Sequence, residues 1–196
     1  MTERLYYSNP YLQAFDARIE RVRSDDSGRL VVTLDRTAFY PTSGGQPFDI
    51  GTIERCRVVD VNDEDDGSVG HVVEGEWQLG PGQPVHGEID WVRRFDHMQQ
   101  HTGQHVLSAA IDRLCHVRTV SFHLGALVST IDLARELTTT ELSAAEAEAN
   151  RVVWEDRPVT IRYASAEEAA RLPLRKESVR EGTLRLIDVQ EFDLSA

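Results

Sequence analysis

The chain changes pattern once, near residue 90, and that change restricts the folds open to it. Before it, short apolar runs at residues 17–22, 29–34, 53–61 and 69–73 alternate with turn clusters. These clusters are Ser24-Asp-Asp-Ser-Gly28, Asn62-Asp-Glu-Asp-Asp-Gly-Ser68 and Gly80-Pro-Gly-Gln-Pro84. Strand-length runs bounded by Gly, Pro, Asp and Asn predict a small β-barrel or sandwich. From His97 to about residue 114 the apolar spacing becomes helical, with Leu107, Ile111 and Leu114 three or four apart. Strands are then expected at 119–122, 128–133, 158–163 and 184–189, with a short helix at 165–172. Between them, Thr138 followed by Glu141 forms a capping-box pattern ahead of the stripe Leu142, Ala145, Ala149, Val152, Val153. Helices and strands do not alternate cleanly, so the expected class is α+β, with domains at 1–89 and 90–196.

Composition narrows the functional classes. With 196 residues and a net charge of −12, the chain is unsuited to non-specific adhesion to nucleic acid or anionic membranes. No run approaches the roughly 20 apolar residues of a membrane helix, and the first residues have no apolar secretory region. Two cysteines, Cys56 and Cys115, do not make a disulfide framework, and the simplest expected location is the cytoplasm. All basic residues but Lys176 are Arg, concentrated at Arg93/Arg94 and at Arg171, Arg175, Lys176, Arg180 and Arg185. Such groups suit phosphate contacts or plain neutralisation of nearby acids. The acidic run from Asn62 has Val73 where a calcium loop needs a bidentate Glu, so it reads as a solvated hairpin tip.

His101 and His105 are one turn apart on the expected helix, so both imidazoles fall on one side, where one metal ion could take both. A peptidase would need Glu after the first His, and Thr102 stands there. The competing reading is that the pair are ordinary helix residues. His97 extends the series, but at 1.5 Å per residue the outer pair lies about 12 Å apart along the axis. Cys115, His116 and His123 are further candidates, of which His123, on the following strand, is the best placed. No Gly-x-Ser-x-Gly elbow supports a serine nucleophile.

Three stretches carry a resemblance. They are Leu34-Asp-Arg-Thr-Ala-Phe-Tyr-Pro-Thr-Ser-Gly-Gly-Gln-Pro47 with Asp49 and Gly51, the run Asp90-Trp-Val-Arg-Arg-Phe-Asp-His-Met-Gln-Gln-His-Thr-Gly-Gln-His-Val-Leu-Ser-Ala-Ala110, and Arg180-Glu-Gly-Thr-Leu-Arg-Leu-Ile-Asp-Val189. Together they resemble the stand-alone alanyl-tRNA editing proteins, related to the editing domain of alanyl-tRNA synthetase. The resemblance implies a glycine-motif β-barrel followed by an α/β editing domain of the threonyl/alanyl-tRNA synthetase type. It implies hydrolysis of the ester in tRNA(Ala) mischarged with serine, and in some members glycine, at a zinc site.

The residues it implies are His101 and His105 as metal ligands and Gln104, Ser121 and His123 at the reaction. Thr42, Ser43, Gly44, Gly45 and Gln46 would contact the aminoacyl group. The family's second metal motif, Cys-x-x-x-His, would be expected just after Ala196, so the editing domain reads as incomplete at that end. The alternative is a non-catalytic RNA-binding or interaction module that retains the fold without a complete metal site.

Overall fold

A computed structural model describes residues 1–125, 128–175 and 182–195. Lys176, Arg180 and Glu181, which belong to the second arginine group and the third family stretch, lie outside the described residues. In chain order the elements are β1 (Glu3–Arg4), α1 (Leu5–Ser8), β2 (Ala14–Ser24), β3 (Leu30–Leu34), β4 (Arg36–Thr37), β5 (Gly51–Ile53), β6 (Cys56–Asp63), β7 (Val69–Glu74) and β8 (Pro84–Ile89). There follow α2 (Trp91–Cys115), β9 (Thr119–Leu124), β10 (Ser129–Leu133), α3 (Thr139–Trp154), β11 (Val159–Ser165), α4 (Ala166–Ala169), β12 (Thr183–Val189) and β13 (Asp193–Ser195). Among the described residues no helix is long and apolar enough to cross a membrane.

Six strands close into an antiparallel barrel in the order β2-β3-β7-β6-β5-β8. Closure leaves no unpaired edge. Period-two patterning sends Phe15, Ala17 and Ile19 of β2 inward with Val85 and Ile89 of β8, onto a core that includes Val32, Leu34, Phe39 and Val61. Phe15 pairs with Gly87 across the ladder, and a Cβ at Gly87 would lie 2.5 Å from the Phe15 ring. Glycine there makes room for the aromatic. The acidic segment is the hairpin tip between β6 and β7, where the Ser68 N–H donates to Asp66 at 2.9 Å. The run at 53–61 is not one strand. It breaks at Glu54, whose φ is 55°, between β5 and β6.

The remainder carries a three-stranded antiparallel sheet, β11-β12-β13, and a two-stranded pair, β9 and β10. Thr138 and Glu141 form the expected capping box of α3. Ala145 and Val152 of α3 pack with Val106, Ala109, Ala110 and Ile111 of α2. The chain divides into two compact units, residues 1–99 with 123–128 and residues 100–122 with 129–196. The barrel lies wholly in the first unit and β11, β12 and β13 in the second. The division therefore runs through α2, whose first turns belong with the barrel.

His71 is fully buried in the barrel unit. Its Nδ1 lies 2.9 Å from the Val32 carbonyl and its Nε2 2.8 Å from Thr37 Oγ1. A carbonyl only accepts, so Nδ1 carries the hydrogen and Nε2 accepts from the Thr37 hydroxyl. Burial pushes the pKa of His71 down to about 4. Because the folded value is depressed, the unfolded chain binds the proton first as pH falls. Stability is complete above an unfolded value of about 6.5 and is lost on the way down to pH 4, by at most about 3 kcal/mol. His97, held low mainly by burial and then by Arg93, acts in the same sense. Urea unfolding at pH 7.5 and 5.0 is expected to show a drop of about 1–2 kcal/mol. Equal stability at the two pH values would contradict a neutral buried His71.

Candidate metal and aminoacyl site

The helix that carries the histidines starts earlier than its apolar spacing predicts, because Asp90 caps it. Asp90 Oδ1 accepts from the Arg93 N–H at 3.1 Å. One residue later, the buried Arg94 donates from Nε to both carboxylate oxygens of the buried Asp49, at 3.0 and 2.9 Å. Arg94 also donates to the carbonyls of Pro10 and Ala38. Of the two readings open for this arginine, a phosphate contact or neutralisation of a nearby acid, the second holds, and the pair forms an internal tether between the first turn of α2 and the barrel.

Further along α2, His101 and His105 face the same way. Their rings stack with centroids 5.1 Å apart and planes 23° from parallel. Phe122 of β9 stacks on His101 at 6.0 Å. Burial, with the neighbouring His105 and Arg185, pushes the pKa of His101 down to about 4. At neutral pH it is therefore uncharged, the form in which imidazole binds a metal.

His105 is held from the other side. Its Nδ1 lies 3.1 Å from both Ser195 Oγ and Arg175 Nη2, and 3.6 Å from Asp193 Oδ2. Burial alone would push the Asp193 carboxyl up, but hydrogen bonds from His105 and Arg175 outweigh it and hold the carboxyl below its usual range. Arg175 only donates, so Nε2 is left for a metal in the tautomer in which Nδ1 carries the hydrogen and gives it to Ser195 or Asp193, while Arg175 bonds Asp193; a carboxylate behind a ligating His is the arrangement that orients such rings.

The pair thus fits two ligand positions of a zinc site. Among the described residues no third His, Cys, Asp or Glu joins them. Cys115, His116 and His123 therefore do not complete the set.

Gln104, between the two histidines, is half-buried and donates from Nε2 to Ser108 Oγ at 2.8 Å. Ser121 is exposed and donates to Asp132 across the β9–β10 pair, and His123 is exposed in the first unit. In that same unit, residues 42–46 form a tight turn. The Ser43 and Gln46 N–H groups each donate to the other residue's carbonyl, at 3.1 and 3.0 Å. Gly44 and Gly45 take φ of 59° and 83° between them, which only glycine adopts freely. Gln46 is buried, and Gly45 O accepts from the Leu124 N–H at 2.9 Å, which ties the turn to the residue after His123.

Spacing alone did not reveal Phe122, Arg175, Asp193 or Ser195. The last three meet His105 from far along the chain, and no local pattern marks them. Within the second arginine group, Arg171 is exposed and pairs with Glu167, while Arg175 is spent on Asp193.

Residues 3–93 match the family described as tRNA synthetases class II (A). Over its whole length the chain is 34% identical to the alanyl-tRNA editing protein AlaX-L of Pyrococcus horikoshii, of which it covers 50%. It is also 37% identical to the alanine–tRNA ligase of Thermococcus kodakarensis, of which it covers 22%. The chain thus spans about half of the one relative and about a fifth of the other. The alanyl-tRNA editing protein AlaX-M of Methanosarcina acetivorans is 35% identical over the full chain, which covers 85% of it. The match takes in the barrel, the turn at 42–46 and the histidine helix, and the chain belongs to the alanyl-tRNA editing proteins.

Proposed function

We propose that the chain is a trans-editing deacylase that hydrolyses the ester of tRNA(Ala) mischarged with serine or glycine. The observation that carries this reading is the His101–His105 pair, stacked and braced through His105 Nδ1, in a chain whose relatives are named for alanyl-tRNA editing. Zinc, held in part by Nε2 of these histidines, would polarise the ester carbonyl or lower the pKa of the attacking water. Water adds to the carbonyl carbon, the bond to the ribose oxygen breaks, and that oxygen leaves with a proton.

The chain's own side chains hold and sort the substrate. Burial, with His105 and Arg185 nearby, keeps His101 from taking a proton. Asp193 and Ser195 hold the His105 ring in place. Gln104 and Ser121, in the same unit as the histidine pair, are assigned to the aminoacyl group and its water; for His123 and the 42–46 turn, in the other unit, the family resemblance alone suggests such a part. A pocket that hydrogen-bonds the serine hydroxyl leaves polar groups unpaired when alanine enters, which is how correctly charged tRNA would be spared.

The partner is mischarged tRNA(Ala) and the expected compartment is the cytoplasm. With a net charge of −12, phosphate contacts must come from arginines other than Arg94 and Arg175, and binding should fall steeply with salt. Counting amino acid released from tRNA(Ala) charged in turn with serine, glycine and alanine tests the proposal. Release of serine and glycine with alanine retained is expected. Binding of all three tRNAs without release would replace this reading with that of an RNA-binding module.

A further inference from the structure

Ser108 is completely buried in the middle of α2, yet its hydroxyl is a junction. Its Oγ accepts from Gln104 Nε2 and from Thr119 Oγ1, both at 2.8 Å. A serine hydroxyl has two lone pairs and one hydrogen, so these two donors use its whole accepting capacity. A mid-helix serine ordinarily turns to the carbonyl one turn back. Here the second donor, from the first residue of β9, holds the oxygen toward Gln104 instead. Gln104 thereby spends one amide hydrogen inward. Its Oε1 has no protein partner among the described residues, on a half-buried side chain between the two histidines.

We propose that Ser108 and Thr119 are positioning residues for specificity. They lock the Gln104 amide so that its carbonyl oxygen is presented as a fixed acceptor to a donor group on the aminoacyl moiety. The inference rests on the deacylase reading above and deepens it. Neither hydroxyl touches substrate: Ser108 is buried, and both act through Gln104. The donor met by Oε1 is either the α-amino group, shared by serine and glycine, or the serine hydroxyl.

The test is steady-state deacylation of seryl- and glycyl-tRNA(Ala) by Ser108→Ala, Thr119→Val, Thr119→Ser, Gln104→Ala and the double variant Ser108→Ala/Gln104→Ala. Alanine is smaller than serine and favours helix, and valine has the shape of threonine, so all should melt close to the parent. Ser108→Ala and Thr119→Val are each expected to lower kcat/KM about tenfold, the size of one lost hydrogen bond, while Thr119→Ser retains it. In the Gln104→Ala background Ser108→Ala should have no further effect. Equal losses on both esters identify the α-amino group, and a loss confined to the seryl ester identifies the hydroxyl.

If Ser108→Ala turns over like the parent, or its loss multiplies with that of Gln104→Ala, the inference is overturned and the deacylase reading stands. If the parent releases neither serine nor glycine, the functional reading itself fails and takes the inference with it.

Discussion

His101→Ala is expected to lose bound zinc and at least about a hundredfold in serine release from tRNA(Ala), together. The reason is local. Burial holds His101 uncharged beside the stacked His105 ring, and a single imidazole is a weak ligand on its own. Alanine is well tolerated in a helix, so the fold should survive. Atomic absorption on the purified variant beside its deacylation rate checks both quantities. Loss of activity with full zinc content would make His101 a substrate residue rather than a ligand, and retention of both would remove the histidine pair from the chemistry.

Asp49→Ala is expected to cost about 3–5 kcal/mol of stability, because it leaves the Arg94 guanidinium buried without its counter-charge. The pair ties the start of α2 to the barrel unit, so this is the largest single-residue effect expected away from the histidines. Urea unfolding followed by circular dichroism measures it. Removing both charges with Asp49→Leu and Arg94→Met should cost less than Asp49→Ala alone, since no buried charge is then unpaired. A loss under about 1 kcal/mol for Asp49→Ala would mean that water reaches Arg94.

The Arg94–Asp49 pair also marks where reading the sequence stopped. A barrel or sandwich was legible because the strands are short and their turns carry Gly, Pro and Asp, with the family resemblance deciding for the barrel, and the α3 cap was legible because a capping box is local. The start of α2 was not, since Trp91, Val92 and Phe95 do not continue the later apolar stripe and only the Asp90 cap signals the helix. Arg94 looked like one of two adjacent surface arginines. Its burial is decided by Asp49, which lies 45 residues earlier. The histidine pair was visible from its spacing, but its supports were not. Ser195 meets His105 across 90 residues and Arg175 across 70, and β13, which carries Asp193 and Ser195, is only three residues long, too short to show a period. The Ser108 junction was hidden for the same reason, because a helical serine shows nothing in sequence of the two donors that reach it.

The central claim is that this chain removes the wrong amino acid from tRNA(Ala). Its most direct test is the initial rate of serine release from seryl-tRNA(Ala), set against alanine release from alanyl-tRNA(Ala) under the same conditions. Rapid release of serine with alanyl-tRNA(Ala) left intact is the predicted result. No release of serine above the rate in buffer, or equal release of both amino acids, would contradict it.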